Sequence, residues 1–194
     1  MSFFDDLPPE PEPHRVHHPW EPPDAEFPGV VPLGTLVLGR TGRAAVAVTG
    51  LSAYSAGFEI FVTARFRPDP DAGPGDQGPG RPEPGGARRP FRLGLQLADG
   101  TRVIGQHAGP GRPGGPGPDP DTGPDRPILR PFLGGGGPRS SFWRWWAWPL
   151  PPAGPLEFVC EWAALGIPET RAGLDAQLIL DAAGRSTRLW PDEG

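Results

Sequence analysis

The chain has no lysine and no asparagine, and it holds one cysteine in 194 residues. With Cys160 alone, no intrachain disulfide can form, so nothing argues for an oxidising compartment. All 18 basic residues are arginine, and no glycine-rich stretch has the lysine that a phosphate loop needs. No apolar run approaches the roughly 20 residues of a membrane span. No basic segment followed by an apolar core opens the chain, as it would in a signal peptide. The expectation is a soluble cytoplasmic protein that does not engage a membrane. Charge of one sign is also scarce in the body. Residues 1–32 hold seven acids against Arg15, while the remainder has 17 arginines and 16 acids, within a net charge of −5. A near-neutral body behind an acidic segment offers no electrostatic footprint for nucleic acid.

What the chain has in excess is glycine and proline, 30 and 31 residues. Close to a third of the sequence would by itself read as low complexity. Gly, Pro, Ala and Arg share GC-rich codons, however, so the apolar pattern is the better guide. Residues 1–32 (with PPEPEP and PWEPP) lose a donor and a free φ at every proline, and read as a disordered acidic tail. Residues 68–90 and 108–127 each contain seven prolines and six glycines. They read as disordered insertions, longer than ordinary loops. The expected organisation is one domain, 33–194, interrupted by these two insertions.

The remaining residues read as β by their period of two. Residues 33–39 and 44–51 are short apolar runs about a turn at Gly39 to Gly42. In 58–66, Phe58, Ile60, Val62, Ala64 and Phe66 alternate with polar residues, Phe61 being the one apolar exception. Phe91, Leu93, Leu95 and Leu97 alternate next, and Asp99 with Gly100 predicts a tight primed turn into 101–104. A short strand at 128–133 is limited by Pro131, and four glycines at 134–137 follow. Leu156, Phe158, Cys160 and Trp162 form another inward row. At the C-terminus, Asp175 caps a helix over 176–183 that stops at Gly184, with Leu174 and Ile179 placed as a hydrophobic staple; the rival is a strand through Leu178, Ile179 and Leu180. About eight short strands without βα units predict an antiparallel β-sandwich, with a partly open barrel as the alternative.

Four of the seven tryptophans fall in Phe142, Trp143, Arg144, Trp145, Trp146, Ala147, Trp148. A strand sends Trp143 and Trp145 to one face and Phe142, Arg144, Trp146 and Trp148 to the other. One face can be core; covering both takes a second layer, a partner or a ligand. Half-buried sandwich core is the preferred reading of the run, and a platform that stacks on a sugar or on peptide prolines is the functional one. In the latter either pair could face outward. Trp143 and Trp145 are favoured because Trp146 and Trp148 lead into Pro149 and Leu150, which are expected to dock on the core.

The string Trp148, Pro149, Leu150, Pro151, Pro152, Gly154, Pro155, Leu156, Phe158, Val159, Cys160, Glu161, Trp162, with Gly166 and Ile167, resembles a group of proteins from high-GC actinobacteria. The same holds for Leu38 to Thr41, for Ala53 and Tyr54 with Gly57 and Phe58, for the glycine run, and for Ala182 and Ala183 with Leu189 to Pro191. The resembling motifs are structural, and the group has no known activity. The resemblance implies a soluble cytoplasmic protein and carries over no catalytic residue.

Chemistry-bearing motifs are thin. His14, His17 and His18 have a chelating spacing, but no cysteine or carboxylate cluster completes a site. Gly109, Gly111 and Gly114 match a dinucleotide fingerprint formally, yet Pro110 and Pro113 forbid the strand-to-helix turn that it requires. Gly134 to Gly137 with Arg139 could form an anion-binding nest; a flexible connection letting the Trp strand cross between sheets is preferred. Cys160 sits in an apolar row where a thiol is inert. His107 borders the second insertion, and Glu157 and Glu161 lie about 13 Å apart along one strand. No metal, cofactor or catalytic residue is expected. The expectation is a non-enzymatic binding or assembly module, meeting a protein partner or a second copy through Trp143, Arg144, Trp145, Trp146 and Trp148. A carbohydrate-binding sandwich is the first alternative, and a small hydrolase or anion-binding enzyme, with Glu59, Glu161, Asp175 or His107 converging, is the second.

Overall fold

The computed structural model describes residues 18–68, 91–105 and 124–190. Twelve strands run in the order β1 (Glu26–Phe27), β2 (Gly29–Val30), β3 (Leu36–Arg40), β4 (Ala44–Ala53), β5 (Phe58–Phe66), β6 (Arg92–Gln96), β7 (Arg102–Ile104), β8 (Ile128–Gly137), β9 (Ser140–Trp148), β10 (Pro155–Trp162), β11 (Ile167–Asp175) and β12 (Thr187–Arg188). One short helix, α1 (Gln177–Ala183), lies between β11 and β12. All strand pairs are antiparallel. The large sheet has the order β2-β4-β5-β9-β8, with β3 also on β4; the small sheet has the order β11-β10-β6-β7. The fold is mainly β, two open sheets packed as a sandwich.

Period two explains the core. Val46, Val48, Phe58, Ile60, Val62 and Ala64 of the large sheet and Leu93, Leu95, Leu156, Phe158 and Cys160 of the small one are buried in a single cluster. The intervening residues point away from this cluster on both sheets, so each sheet turns one face to the common core. β3 approaches β10 and β11, and β7 approaches β8. At one such closure, a Cβ at Gly105 would stand 2.6 Å from the Trp145 ring. Helix α1 closes an end, with Ile179, Ala182 and Ala183 in the cluster. The Asp175 carboxylate accepts the Gln177 N–H at 2.9 Å, as expected of a residue that shields the first turn.

Four local expectations differ from the structure. The 91–104 hairpin forms, but Gly100 alone has positive φ (85°), and its N–H donates to the Leu97 carbonyl at 3.0 Å. The connection is therefore a three-residue loop with glycine in the left-handed position, not a two-residue type I′ turn, in which Asp99 would need positive φ as well. The glycine run is not a connection either: Gly134 to Gly137 are the second half of β8 and pair with β9. None of them has positive φ, so the nest expected of successive left- and right-handed residues is absent. The rings of β9 lean over them instead; a Cβ at Gly135 would press on the Phe142 ring at 3.1 Å. Pro131 sits at the bulge of this edge strand, where its missing N–H costs no ladder bond.

The third difference is at 18–32, expected to belong to a coreless tail. Gly29 and Val30 pair with Ala53 and Ser52, Glu26 and Phe27 pair with β12, and Val31 N–H donates to Leu51. Prolines do remove donors here, but the segment is held through acceptors: the carbonyls of Trp20, Ala25 and Val30 and the carboxylates of Glu21 and Glu26 all receive hydrogen bonds. The fourth is β11, which has no counterpart in the sequence reading. Only Ile167 in it is buried, so an edge strand leaves no apolar period to detect. The expected insertions 68–90 and 108–127 fall almost wholly outside the described residues.

Cys160 is buried in the small sheet, with its thiol 3.2 Å from Thr170 Oγ1. Burial pushes the thiol's pKa up, against the weaker pull of Thr170. Native protein is expected to resist a thiol reagent until it unfolds. Labelling of the native protein as fast as of denatured protein would place this face of β10 in solvent.

Candidate functional site

The tryptophan strand β9 is the second outermost strand of the large sheet, between β5 and β8. Its inward face carries Trp143, Trp145 and Ala147. Trp145 is fully buried in the common core, and Trp143 packs on it half-buried. Trp143 stacks on Phe91 (5.0 Å between centroids) and meets the edge of Trp162 (5.7 Å). The expectation that Trp143 and Trp145 face outward is therefore overturned. The reason is the second layer: β6, from far upstream, and β10, the strand that follows β9, lie over this face.

The outward face carries Phe142, Arg144, Trp146 and Trp148. Trp146 is also fully buried, but under a different cover. Its Nε1 donates to the Trp20 carbonyl at 2.8 Å, and Tyr54 meets its ring edge-on at 5.6 Å. Gly57 lies so close that a Cβ there would stand 2.7 Å from the ring. The 18–30 segment thus straps one end of the face, tied by Glu21 to Arg130 at 3.4 Å and by Glu26 to Ser55, Oε1 to Oγ 2.6 Å. Trp148 is half-buried. Of the five expected contact residues, Trp145 and Trp146 are enclosed and Trp143 is held between Phe91 and Trp162, while Arg144 and Trp148 are half-buried on the outer face.

Beyond the strap, none of the described residues covers the face. Register places Gly50, Phe61, Arg144 and Leu133 in one cross-strand row, and Thr63, Phe142 and Gly135 in the next. The Arg144 guanidinium lies over the Phe61 ring at 4.8 Å and over the Phe132 ring at 5.6 Å. Phe132, Leu133 and Phe142 are 43%, 50% and 48% exposed. Large apolar side chains in three adjacent positions around a cation form a contiguous patch, unlike singly scattered ones. Among the outward positions of β3, β4, β5, β8 and β9, Arg40, Arg65, Arg130 and Arg144 face a single acid, Glu59.

Glu59 is buried beneath this surface. Tyr54 Oη donates to its Oε1 at 3.3 Å, and Arg144 Nε stands 3.9 Å from Oε2. Burial raises its pKa above the ordinary 4.5, partly offset by Arg144 and Tyr54. Burial and the Glu59 charge push Tyr54 up to about 12, so the phenol stays protonated and donates. Because the folded value of Glu59 lies above the unfolded one, its contribution to stability is full below about 4.5 and is lost as pH rises through the folded value. Glu59→Gln is expected to flatten that decline and to be at least as stable as wild type at neutral pH. Urea midpoints at acidic and neutral pH check this; a larger loss at neutral than at acidic pH would show that the ion pair to Arg144 outweighs burial.

The opposite face, on the small sheet, has a shallow depression of about 240 Å³ floored by Gly94. Its charges pair among themselves: Arg171 with Glu157 (2.9 Å) and Glu169 (3.1 Å), and Arg92 with Glu161 (3.2 Å). Such exposed pairs add little stability. Glu59 and Glu161 point away from opposite sides of the sandwich, and Asp175 is engaged at α1, so these expected catalytic candidates do not converge. His14, His17, His107 and the Gly109 to Gly114 motif lie outside the described residues. Among the described residues no three His, Cys, Asp or Glu side chains are placed to hold a metal ion, and no helix is long and apolar enough to cross a membrane. Sequence reasoning missed Phe132 and Leu133, hidden by the glycine run. Phe61, the lone apolar residue on a polar face, was the available signal. Comparison with protein-family models, curated proteins and solved structures finds no match to this chain.

Proposed function

We propose that this protein is a non-enzymatic binding module whose contact surface is the uncovered outer face of the large sheet, centred on Arg144. The observation that carries the reading is the patch of Phe61, Phe132, Leu133 and Phe142 around Arg144, exposed on a face with four arginines and one buried acid. Aromatic side chains and arginine are the residue types that dominate binding energy at protein interfaces. The partner chemistry that suits this surface is a protein segment with aromatic and acidic side chains, its rings on the phenylalanines and its carboxylates on Arg144 and Arg65. Trp143, Trp145 and Trp146 act beneath the surface, as the packing that positions Arg144.

Phe132→Ser with Phe142→Ser is expected to weaken partner binding or self-association at least about tenfold, with little change in thermal unfolding because both rings are already half in solvent. Sedimentation and quantitative capture from a native lysate, wild type against variant, measure it. A variant that unfolds at the wild-type temperature and keeps every partner overturns the reading.

A further inference from the structure

We infer that the outer face of the large sheet is the docking site of this chain's own segment 3–7, Phe3, Phe4, Asp5, Asp6 and Leu7, which occupies it in cis and competes with an external partner. The inference rests on the reading of this face as a binding surface, and it adds an occupant. Three observations select that occupant. The first is where the described chain begins. His18 stacks on Trp20 at 4.6 Å, and Trp20 and Glu21 are tied to Trp146 and Arg130 on this same face. The segment before His18 therefore leaves from the edge of the patch, not from the far side of the molecule.

The second is reach. Phe142 lies four residues along β9 from Trp146, about 13 Å. Fourteen residues separate Phe4 from His18, a span of up to roughly 46 Å when extended. Segment 3–7 can lie across the Arg144 row with chain to spare, so docking in cis needs no strained connection. The strap at 18–30 already covers one end of the face, and docking of 3–7 continues the same cover over the rest.

The third is chemistry. Residues 1–17 hold Asp5, Asp6, Glu10 and Glu12 against Arg15, and the uncovered face holds Arg40, Arg65 and Arg144 with no exposed acid. Phe3, Phe4 and Leu7 match the exposed rings of Phe132 and Phe142, and Asp5 and Asp6 between them meet the guanidinium that those rings frame. Among the arginines of the face, Arg130 is engaged by Glu21 and Arg144 stands 3.9 Å from a buried carboxylate, which leaves its outer side open to a second acid. An intramolecular ligand has a high effective concentration, so an external partner must displace it.

The test uses the full chain with Ser2→Cys carrying a nitroxide. Cys160 is buried and its thiol is held protonated, so the label goes to the introduced site alone. Paramagnetic broadening is expected at the amides of Phe61, Phe132, Phe142 and Arg144, and not at Val159 or Arg171 on the opposite face. Phe3→Ser with Phe4→Ser, and separately Phe132→Ser with Phe142→Ser, are expected to abolish the pattern while leaving the amide spectrum of the core in place. Even broadening over both faces, or a pattern that survives both pairs of substitutions, overturns the inference. Broadening that appears when spin-labelled chain is mixed with isotope-labelled chain lacking the nitroxide shows occupation by a second copy, and overturns docking in cis. If the patch variant loses a captured partner but the wild type shows no localised broadening, the binding reading stands and this inference alone fails.

Discussion

The double variant Trp143→Ala with Trp145→Ala is expected not to fold. Trp145 has no exposed surface and Trp143 is held between Phe91 and Trp162. Truncating a buried tryptophan costs about 3–5 kcal/mol. Two such losses in one cluster approach the whole stability of a domain, about 5–15 kcal/mol. Trp145→Ala alone is expected to unfold with a urea midpoint far below wild type, and the double variant is expected to lack cooperative unfolding and dispersed amide signals. A folded double variant would mean that this face of β9 is not the core. The single variants are neighbours and share the cavity, so their effects are not expected to add simply.

Trp146→Ala carries the second large effect, of about 3–5 kcal/mol, with a different signature. Trp146 lies outside the common core, between the large sheet and the strap. Its removal takes away the Nε1 bond to Trp20 and the ring against Tyr54 and Gly57. The strap is expected to open before the sandwich does. Amide exchange of residues 20–31 is expected to rise well above that of β5 and β10, because local opening then needs less free energy than global unfolding. Uniform acceleration across strap and core would show that the strap is held by its pairings to β4 and β12 and not by Trp146. Opening also lets water reach Glu59, so the variant is expected to lose part of the pH dependence that burial gives that carboxyl.

The binding surface follows from these two layers of packing. With Trp143 and Trp145 packed inward on either side of it and Trp146 anchored under the strap, Arg144 is held on the outer face. Phe61 and Phe132 then flank its guanidinium from β5 and β8.

By itself the sequence determined what alternation can specify. Strict period two in 58–66, 91–97 and 156–162 required sheets with one buried face, and placed Cys160 and Trp162 inside. Asp175 marked the start of a helix because a carboxylate shields free N–H groups, whereas Gly184, expected to stop it, is right-handed (φ −64°) and only follows its last residue. The acid-rich opening and the single cysteine were equally readable, being counts. Alternation does not say which of two apolar faces is covered, and β9 is apolar on both. Only the tertiary structure decided that Trp143 and Trp145 go inward: β6 comes from far upstream, and although β10 is the next strand along, nothing local says over which face of β9 it folds back. It alone showed that residues 18–30 close over Trp146, since carbonyls and carboxylates that accept hydrogen bonds leave no periodic trace. It also decided that four glycines form a strand, because their place in β8 is set by the rings of β9 lying over them, a contact that no property of glycine itself announces.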